Sequence, residues 1–276
     1  EKSDEKEFIP CFDHKRRNWN GLEAARMRAV FQKELAEYGV RLCPHHEALE
    51  LVQRSGRVCG AVFAAKNRLL AIRSKAVILA TGGYSGLFQN CLTTADVTGT
   101  GHALALRAGA RLINMEFMQM MPGFLSPAPK TVFNEKTFRF ATFRDADGND
   151  ILAHLPNRAA LLAQRSTHGP FTAAGADRAV DFAIAHAEQG GGAYVSYSDE
   201  MKQNPPEFIA AYFDWLRKKK GLTPNDPVRI GMYAHAANGG IVIDSDAATD
   251  VPGLYACGEV TGGMHGADRI GGLSSA

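Results

Sequence analysis

Two stretches decide how this chain is read: Ala76–Gly83, AVILATGG, and Asn238–Ala276, NGGIVIDSDAATDVPGLYACGEVTGGMHGADRIGGLSSA. Ala76–Ala80 is a short, unbroken apolar run, the pattern of a strand buried on both faces, and it ends abruptly at Thr81-Gly82-Gly83. Gly253–Glu259 repeats the device: a second apolar run ends at Gly258-Glu259 and continues into Val260-Thr261-Gly262-Gly263. Glycine at a strand's end lets backbone approach a ligand closely, and a helix beginning there offers free N–H groups to ligand oxygens. One glycine pair means little, because a tight turn needs glycine for steric reasons alone. Two buried strands that both end this way, with a third glycine-rich turn at Gly271-Gly272-Leu273-Ser274-Ser275, form a pattern.

Working outward, Leu22–Tyr38 carries apolar residues at helical spacing and is closed by Gly39, so a helix is expected, followed by a short strand at Val40–Leu42. Ala48–Val52 and Val58–Ala64, separated by Gln53–Arg57, predict a hairpin with a glycine-containing turn. A second helix is expected over Gly101–Ala108, stopped by Gly109. From about Pro122 the composition shifts towards Phe and Pro, with a turn at Asp145–Asn149. Helices are expected at Asn157–Gln164, Ala176–Gln189 and Pro205–Lys219, the last with proline in its first turn and Gly221 after it. This block reads as a mainly helical, loop-built insertion. The expected class is α/β (α+β overall), with segments 1–121, 122–234 and 235–276.

Composition bounds the function. The 276 residues are 45% hydrophobic, enough for a sizeable core, and the formal net charge of +2 calls for no nucleic acid or acidic partner. The basic runs Lys15-Arg16-Arg17 and Lys218-Lys219-Lys220 read as solvated surface, the second suiting a helix C-terminus. Cys11, Cys43, Cys59, Cys91 and Cys257 are scattered without a CxxC pair, so reduced thiols and a cytoplasmic setting are favoured over a disulfide framework or metal site. No apolar run approaches a membrane span.

Taken together, Ala76–Gly83 and Asn238–Ala276 resemble the flavoproteins of the fumarate reductase, succinate dehydrogenase and aspartate oxidase family, whose closing segment reads H-x-x-x-GG, a strand, GLYAxGE, HGANR and GGN. The resemblance covers the chain from about Ile9 onward. It implies a Rossmann-like FAD-binding domain interrupted by a capping domain, with FAD as cofactor. It assigns Ala80, Thr81, Gly82 and Gly83 to the ATGG turn at the cofactor. Gly258 and Glu259 go to the pair holding the ribityl and ring end, and His265 to a place beside the ring. Gly272, Leu273, Ser274 and Ser275 go to the turn at the flavin pyrimidine.

The same resemblance implies hydride transfer between flavin N5 and a carbon beside a carboxylate or carbonyl. His235 falls on the histidine of H-x-x-x-GG and Arg269 on the arginine of HGANR; both are expected to clamp carboxylate, which arginine's planar fork meets with two parallel hydrogen bonds. Arg158 falls near the proton-donating arginine. The implied partner is a small saturated or unsaturated carboxylate, with the electron partner left open.

The chain also departs from the pattern. The histidine expected before proline is Met121, in Met118-Gln119-Met120-Met121-Pro122, and a thioether cannot hold a carboxylate. TGDG is Thr98-Gly99-Thr100-Gly101, without the carboxylate. The T-E-x-x-R-G stretch has no clean counterpart, although Asn134, Glu135 and Arg139 lie near its place. These leave open an aspartate oxidase-like enzyme, a ketosteroid dehydrogenase-like enzyme favoured by Met121, and a non-catalytic flavin-binding electron-relay subunit. The family's opening G-x-G-x-x-G unit and its closing helix have no counterpart, so a protein missing both ends is expected.

Overall fold

The computed structural model describes residues 12–13, 18–19 and 24–268. In chain order the elements are β1 (Phe12–Asp13), β2 (Asn18–Trp19), α1 (Ala24–Glu37), β3 (Glu47–Arg54), β4 (Arg57–Ala65), β5 (Arg68–Arg73), β6 (Val77–Leu79), α2 (Thr100–Arg107), β7 (Leu112–Ile113) and β8 (Met118–Ser126). There follow β9 (Ala141–Arg144), α3 (Arg158–Arg165), α4 (Arg178–Glu188), β10 (Ala193–Tyr197), α5 (Asp199–Gln203), α6 (Glu207–Lys220), β11 (Val228–Ala237), β12 (Gly240–Ile241) and β13 (Leu254–Ala256).

These elements fall into two compact units. One takes its described residues from Glu1–His46 and Ser198–Asp226 and holds α1, α5 and α6. Glu207 sits in the first turn of α6 and Arg217, Lys218, Lys219 and Lys220 in its last, each sign opposite to the helix dipole at that end. Gly221 closes the helix in the left-handed conformation, φ 69°. The strand expected at Val40–Leu42 is irregular chain instead.

The other unit, Glu47–Tyr197 with Pro227–Ala276, carries the strands of interest. The expected hairpin forms as β3 and β4 and gains a third strand, β5, in the order β3-β4-β5. Beside it β6 and β13 run parallel, with Val77 opposite Leu254 and Leu79 opposite Ala256. Leu51, Val58, Leu79, Leu104, Ala105, Ile241, Leu254 and Val260 close one core between these strands and α2. Truncating a fully buried Leu254 to alanine in such a core costs about 2–5 kcal/mol.

The Phe-rich block corrects the expectation of a helical, loop-built insertion. It is organised on a four-stranded antiparallel sheet, β8-β11-β10-β9. The aromatic residues that marked the shift in composition are its core: Phe133 and Phe138 meet edge-to-face with centroids 5.1 Å apart, and Phe143 packs on both. Strand β9 alternates buried and exposed positions as a half-buried strand should, but over only four residues, too short to read as a period. The helices α3 and α4 form where expected.

Candidate active site

Because β6 and β13 are parallel and in register, their C-terminal ends emerge side by side. The Cys257 amide donates to the Leu79 carbonyl (3.0 Å), so Ala80-Thr81-Gly82-Gly83 and Gly258-Glu259 leave the sheet at one edge. The glycines there have two different tasks. Gly82 (φ 72°) and Gly258 (φ 75°) adopt left-handed conformations, and a methyl group at Gly258 would meet nothing within 4 Å. A Cβ on Gly82 would meet Val97 Cγ1 at 3.9 Å, an ordinary van der Waals contact. Gly83 instead makes room for Glu259: a Cβ there would stand 2.4 Å from Glu259 Oε1. That same oxygen accepts the Ala237 amide at 2.7 Å, tying the Gly258-Glu259 turn to the end of β11.

Thr81 seats the next element. Gly101, in the first turn of α2, lies so close that a Cβ on it would fall 1.9 Å from Thr81 Oγ1. Gly101 of the TGTG run therefore lets α2 approach the ATGG turn. Gly239, Gly240 and Gly262 serve backbone crossings. A Cβ at Gly239 would strike the Asn114 carbonyl at 2.1 Å, and one at Gly262 the Gly240 amide at 2.3 Å. Of the glycine pair Gly262-Gly263, the first is thus explained by packing alone.

His235 lies where β11 is irregular. Ala234 pairs with Met120 and Ala236 with Gln119, so His235 is the extra residue of a β-bulge, a device that re-aims a side chain. The bulge is held from the far side, where Ala234 exchanges hydrogen bonds with the Asn90 carbonyl (2.8 Å) and the Leu92 amide (3.0 Å). Across the sheet Met121 opposes Tyr233. The loop after α3 folds over this strand: Phe171 N–H donates to the Met120 carbonyl (2.8 Å). A Cβ at Gly169 would come 3.5 Å from Met121 Cε and 3.9 Å from Glu135 Oε2. Glu135 and Met121 thus both border Gly169.

The segment His265–Asp268 is held down by side chains the sequence did not single out. Asn114 donates to the His265 carbonyl (2.8 Å), and Asn238 to the Gly266 and Ala267 carbonyls (3.0 and 3.3 Å). His265 is buried. Asp268 Oδ1 accepts the Ala173 amide at 3.0 Å, and the Ala173 carbonyl accepts from Arg178 Nη1 at 2.7 Å. Arg269, Gly272, Leu273, Ser274 and Ser275 lie outside the described residues.

Arg158 is the residue that the resemblance sets near the proton-donating arginine. It begins α3, half-exposed, and its guanidinium is engaged in an ion pair with Asp150. Arg178, at the first position of α4, is the arginine bonded to the chain that leads to His265–Asp268. The signal that could have found it is a cation at a helix N-terminus, where the dipole disfavours it. Arg158 sends the same signal, and only the partners tell them apart.

Behind these residues lies a buried charge network. Arg165, fully buried, meets Asp181 with two hydrogen bonds (2.7 and 3.1 Å) and donates to the Gly169 carbonyl at 2.9 Å. Its guanidinium lies 4.6 Å from the Phe138 ring centroid. Burial pushes the Asp181 carboxyl up from its ordinary value, and the Arg165 charge opposes that push. His168 joins Asp177 through its Nε2 at 2.5 Å.

The sequence pattern of the family described as "FAD binding domain" matches residues 9–275. The chain belongs to that family. It is 34% identical over 230 residues to an L-aspartate oxidase of Mesorhizobium japonicum, covering 81% of this chain and 42% of the relative. It superposes on Mycobacterium smegmatis Sdh1 with TM-score 0.67 and 27% identity, over 90% of this chain and 42% of that one. An E. coli quinol fumarate reductase FrdA shares the fold at TM-score 0.64 and 24% identity, over 91% of this chain and 45% of that one. The chain spans under half the length of the curated relatives it matches, 42% and 48% for two L-aspartate oxidases. The expected FAD-binding fold and the resemblance to these flavoproteins therefore hold, and FAD is the cofactor. The site fits it: two adjacent parallel strand ends present left-handed glycines, Gly82 and Gly258, and a side chain on Gly258 would meet nothing within 4 Å. Among the described residues no helix is long and apolar enough to cross a membrane.

Proposed function

We propose that the protein is an oxidoreductase acting on a small carboxylate-bearing substrate, in which Arg178, His235 and Arg269 bind carboxylate and move the proton. When bound, FAD supplies hydride acceptance and donation at N5. The Ala80–Gly83 and Gly258-Glu259 turns would hold it through backbone, and Gly272, Leu273, Ser274 and Ser275 are proposed to hold its pyrimidine end. His235, re-aimed by the bulge, binds one substrate carboxylate together with Arg269. Arg178 takes the proton-donor role in place of Arg158, because it is bonded to the loop that meets His265–Asp268. The loop over Met120 and Met121 excludes water from the strand beside His235. Segments 122–234 and 235–276 are proposed as the cap and the returning flavin domain.

Within this class an amino-dicarboxylate is the favoured substrate. The observation that carries it is Glu135 Oε2, 3.9 Å from the Cβ position of Gly169 on the side where Met121 Cε lies 3.5 Å away. An acidic group there pairs with a substrate ammonium, which succinate and fumarate lack. The similarity to L-aspartate oxidases supports the same choice. The test is a substrate panel on the complete, FAD-loaded protein and its Glu135→Gln variant. Wild type should oxidise L-aspartate faster than succinate, and Glu135→Gln should raise KM for aspartate about tenfold or more, the loss of a charge-assisted pair of ~1.5–3 kcal/mol. Preference for succinate or fumarate, unchanged by Glu135→Gln, would return the substrate to the unsaturated dicarboxylates.

A further inference from the structure

The loop 167–177 lies between α3 and α4 and ends at Arg178. It is fastened at three places. Phe171 is bonded to β8 through the Met120 carbonyl at 2.8 Å. The carbonyls of His168 and Gly169 accept from the buried Arg165. His168 closes the loop on itself by bonding Asp177 at 2.5 Å, with the Asp177 carboxylate folded back over Gly175. Two of these fastenings run to a strand and a helix of the Phe-rich block, and the third lies within the loop. None of them refers to the glycine-rich ends.

The fourth fastening does. The Ala173 amide donates to Asp268 Oδ1 at 3.0 Å, and the carbonyl of the same residue accepts from Arg178 Nη1 at 2.7 Å. Ala173 is therefore a relay of one residue: its N–H reads the flavin segment and its C=O holds the arginine. Asp268 is itself fixed, because the backbone before it is pinned by Asn114 at His265 and by Asn238 at Gly266 and Ala267.

We propose that Asp268 is a positioning residue that fastens the loop to the flavin segment and so sets where the Arg178 guanidinium stands. The proposal rests on the oxidoreductase reading for its catalytic consequence, but the fastening itself is independent of which substrate is used. Asp268 occupies the place of asparagine in the HGANR pattern. Either side chain presents an oxygen that accepts an N–H, so acceptance is what the position requires and the negative charge is incidental. An arginine misplaced by about 1 Å loses up to about a hundredfold in rate while the cofactor stays bound.

The experiment compares the complete, FAD-loaded wild type with Asp268→Ala and Asp268→Asn. It reads amide hydrogen exchange over residues 170–177 and, separately, kcat and KM with the best substrate of the panel. Asp268→Ala should speed exchange at Ala173 about tenfold or more and lower kcat about 10–100-fold, with flavin content and KM little changed. Asp268→Asn should match wild type within about threefold in both readouts, because its amide oxygen still accepts. Unchanged exchange at Ala173 in Asp268→Ala overturns the proposal, whether or not any substrate is turned over. So does an Asp268→Asn variant impaired as badly as Asp268→Ala, which would make the charge essential. A wild type inert towards every carboxylate would sink the substrate reading, and the exchange arm would still decide the fastening.

Discussion

Arg158 and Arg178 occupy the same place in their helices, the first position of α3 and of α4, where an uncompensated cation is disfavoured by the dipole. Arg158 meets that cost locally with Asp150. Such a half-exposed pair is worth about 0–1 kcal/mol, so Arg158→Ala should leave turnover and thermal midpoint near wild type. Arg178 has a carbonyl partner, Ala173, bonded through Nη1, and is proposed to meet the substrate. Arg178→Ala should lower kcat about 10²–10⁴-fold, the usual range for a positioned proton donor, with flavin retained. Steady-state kinetics of the two variants side by side check the assignment; a large loss in Arg158→Ala with a silent Arg178→Ala would reverse it. Spacing alone could not choose, because the difference lies in which carbonyl or carboxylate the fold brings near. His235 was legible as a histidine four residues before Gly239-Gly240, but the bulge that aims it depends on pairing with β8.

At the scale of elements, α2 packs closely on the ATGG turn that follows β6. Gly101 admits Thr81 with no space for a methyl group between them, 1.9 Å from the position a Cβ would take to Thr81 Oγ1. Gly101→Ala must push α2 away from the ATGG turn, and overpacking of this kind costs about 1–3 kcal/mol. Because the turn is proposed to hold the cofactor, the same variant should release flavin more readily. Thr81→Ala in the Gly101→Ala background should restore part of both, since it removes the hydroxyl that is struck first. Thermal melts and flavin dissociation of the single and double variants measure this, and a double variant no better than the single one would place the strain elsewhere. The strands β6 and β13 were legible because an unbroken apolar run and terminal glycines leave a local trace, but the burial expected on both faces of β6 does not hold, since Ile78 is 66% exposed. The sheet β8-β11-β10-β9 was not, because its strands are far apart in sequence and β8 is rich in methionine and carries Pro122. Its aromatic core appeared only as a change in composition.

At the scale of the whole molecule, acid stability separates groups that titrate in different windows. Asp145, Asp214, Asp226 and Asp250 are exposed or nearly so, and hydrogen bonds from Asn149, Lys218, Thr223 and Arg111 respectively lead in holding their carboxyls below the ordinary value. Their contribution is present above about pH 4, the unfolded carboxylate range, and is lost as pH falls below it. Asp181 acts in the opposite sense: burial raises its carboxyl, so its cost is present at neutral pH and eases as pH falls. His102 titrates first. It is 4% exposed, packs edge-to-face on Tyr84 at 5.2 Å, and burial lowers its pKa. The unfolded chain therefore takes up a proton near pH 6.5 that the folded protein refuses, and stability falls as pH drops through and below that value. His102→Leu keeps an apolar side chain beside Tyr84 and removes the proton. The variant's midpoint relative to wild type should rise steadily between pH 7.5 and pH 5.5, with the two curves closest at the alkaline end. A constant offset across that range would mean that His102 takes up its proton equally in the folded and unfolded chains, and that burial does not lower its pKa.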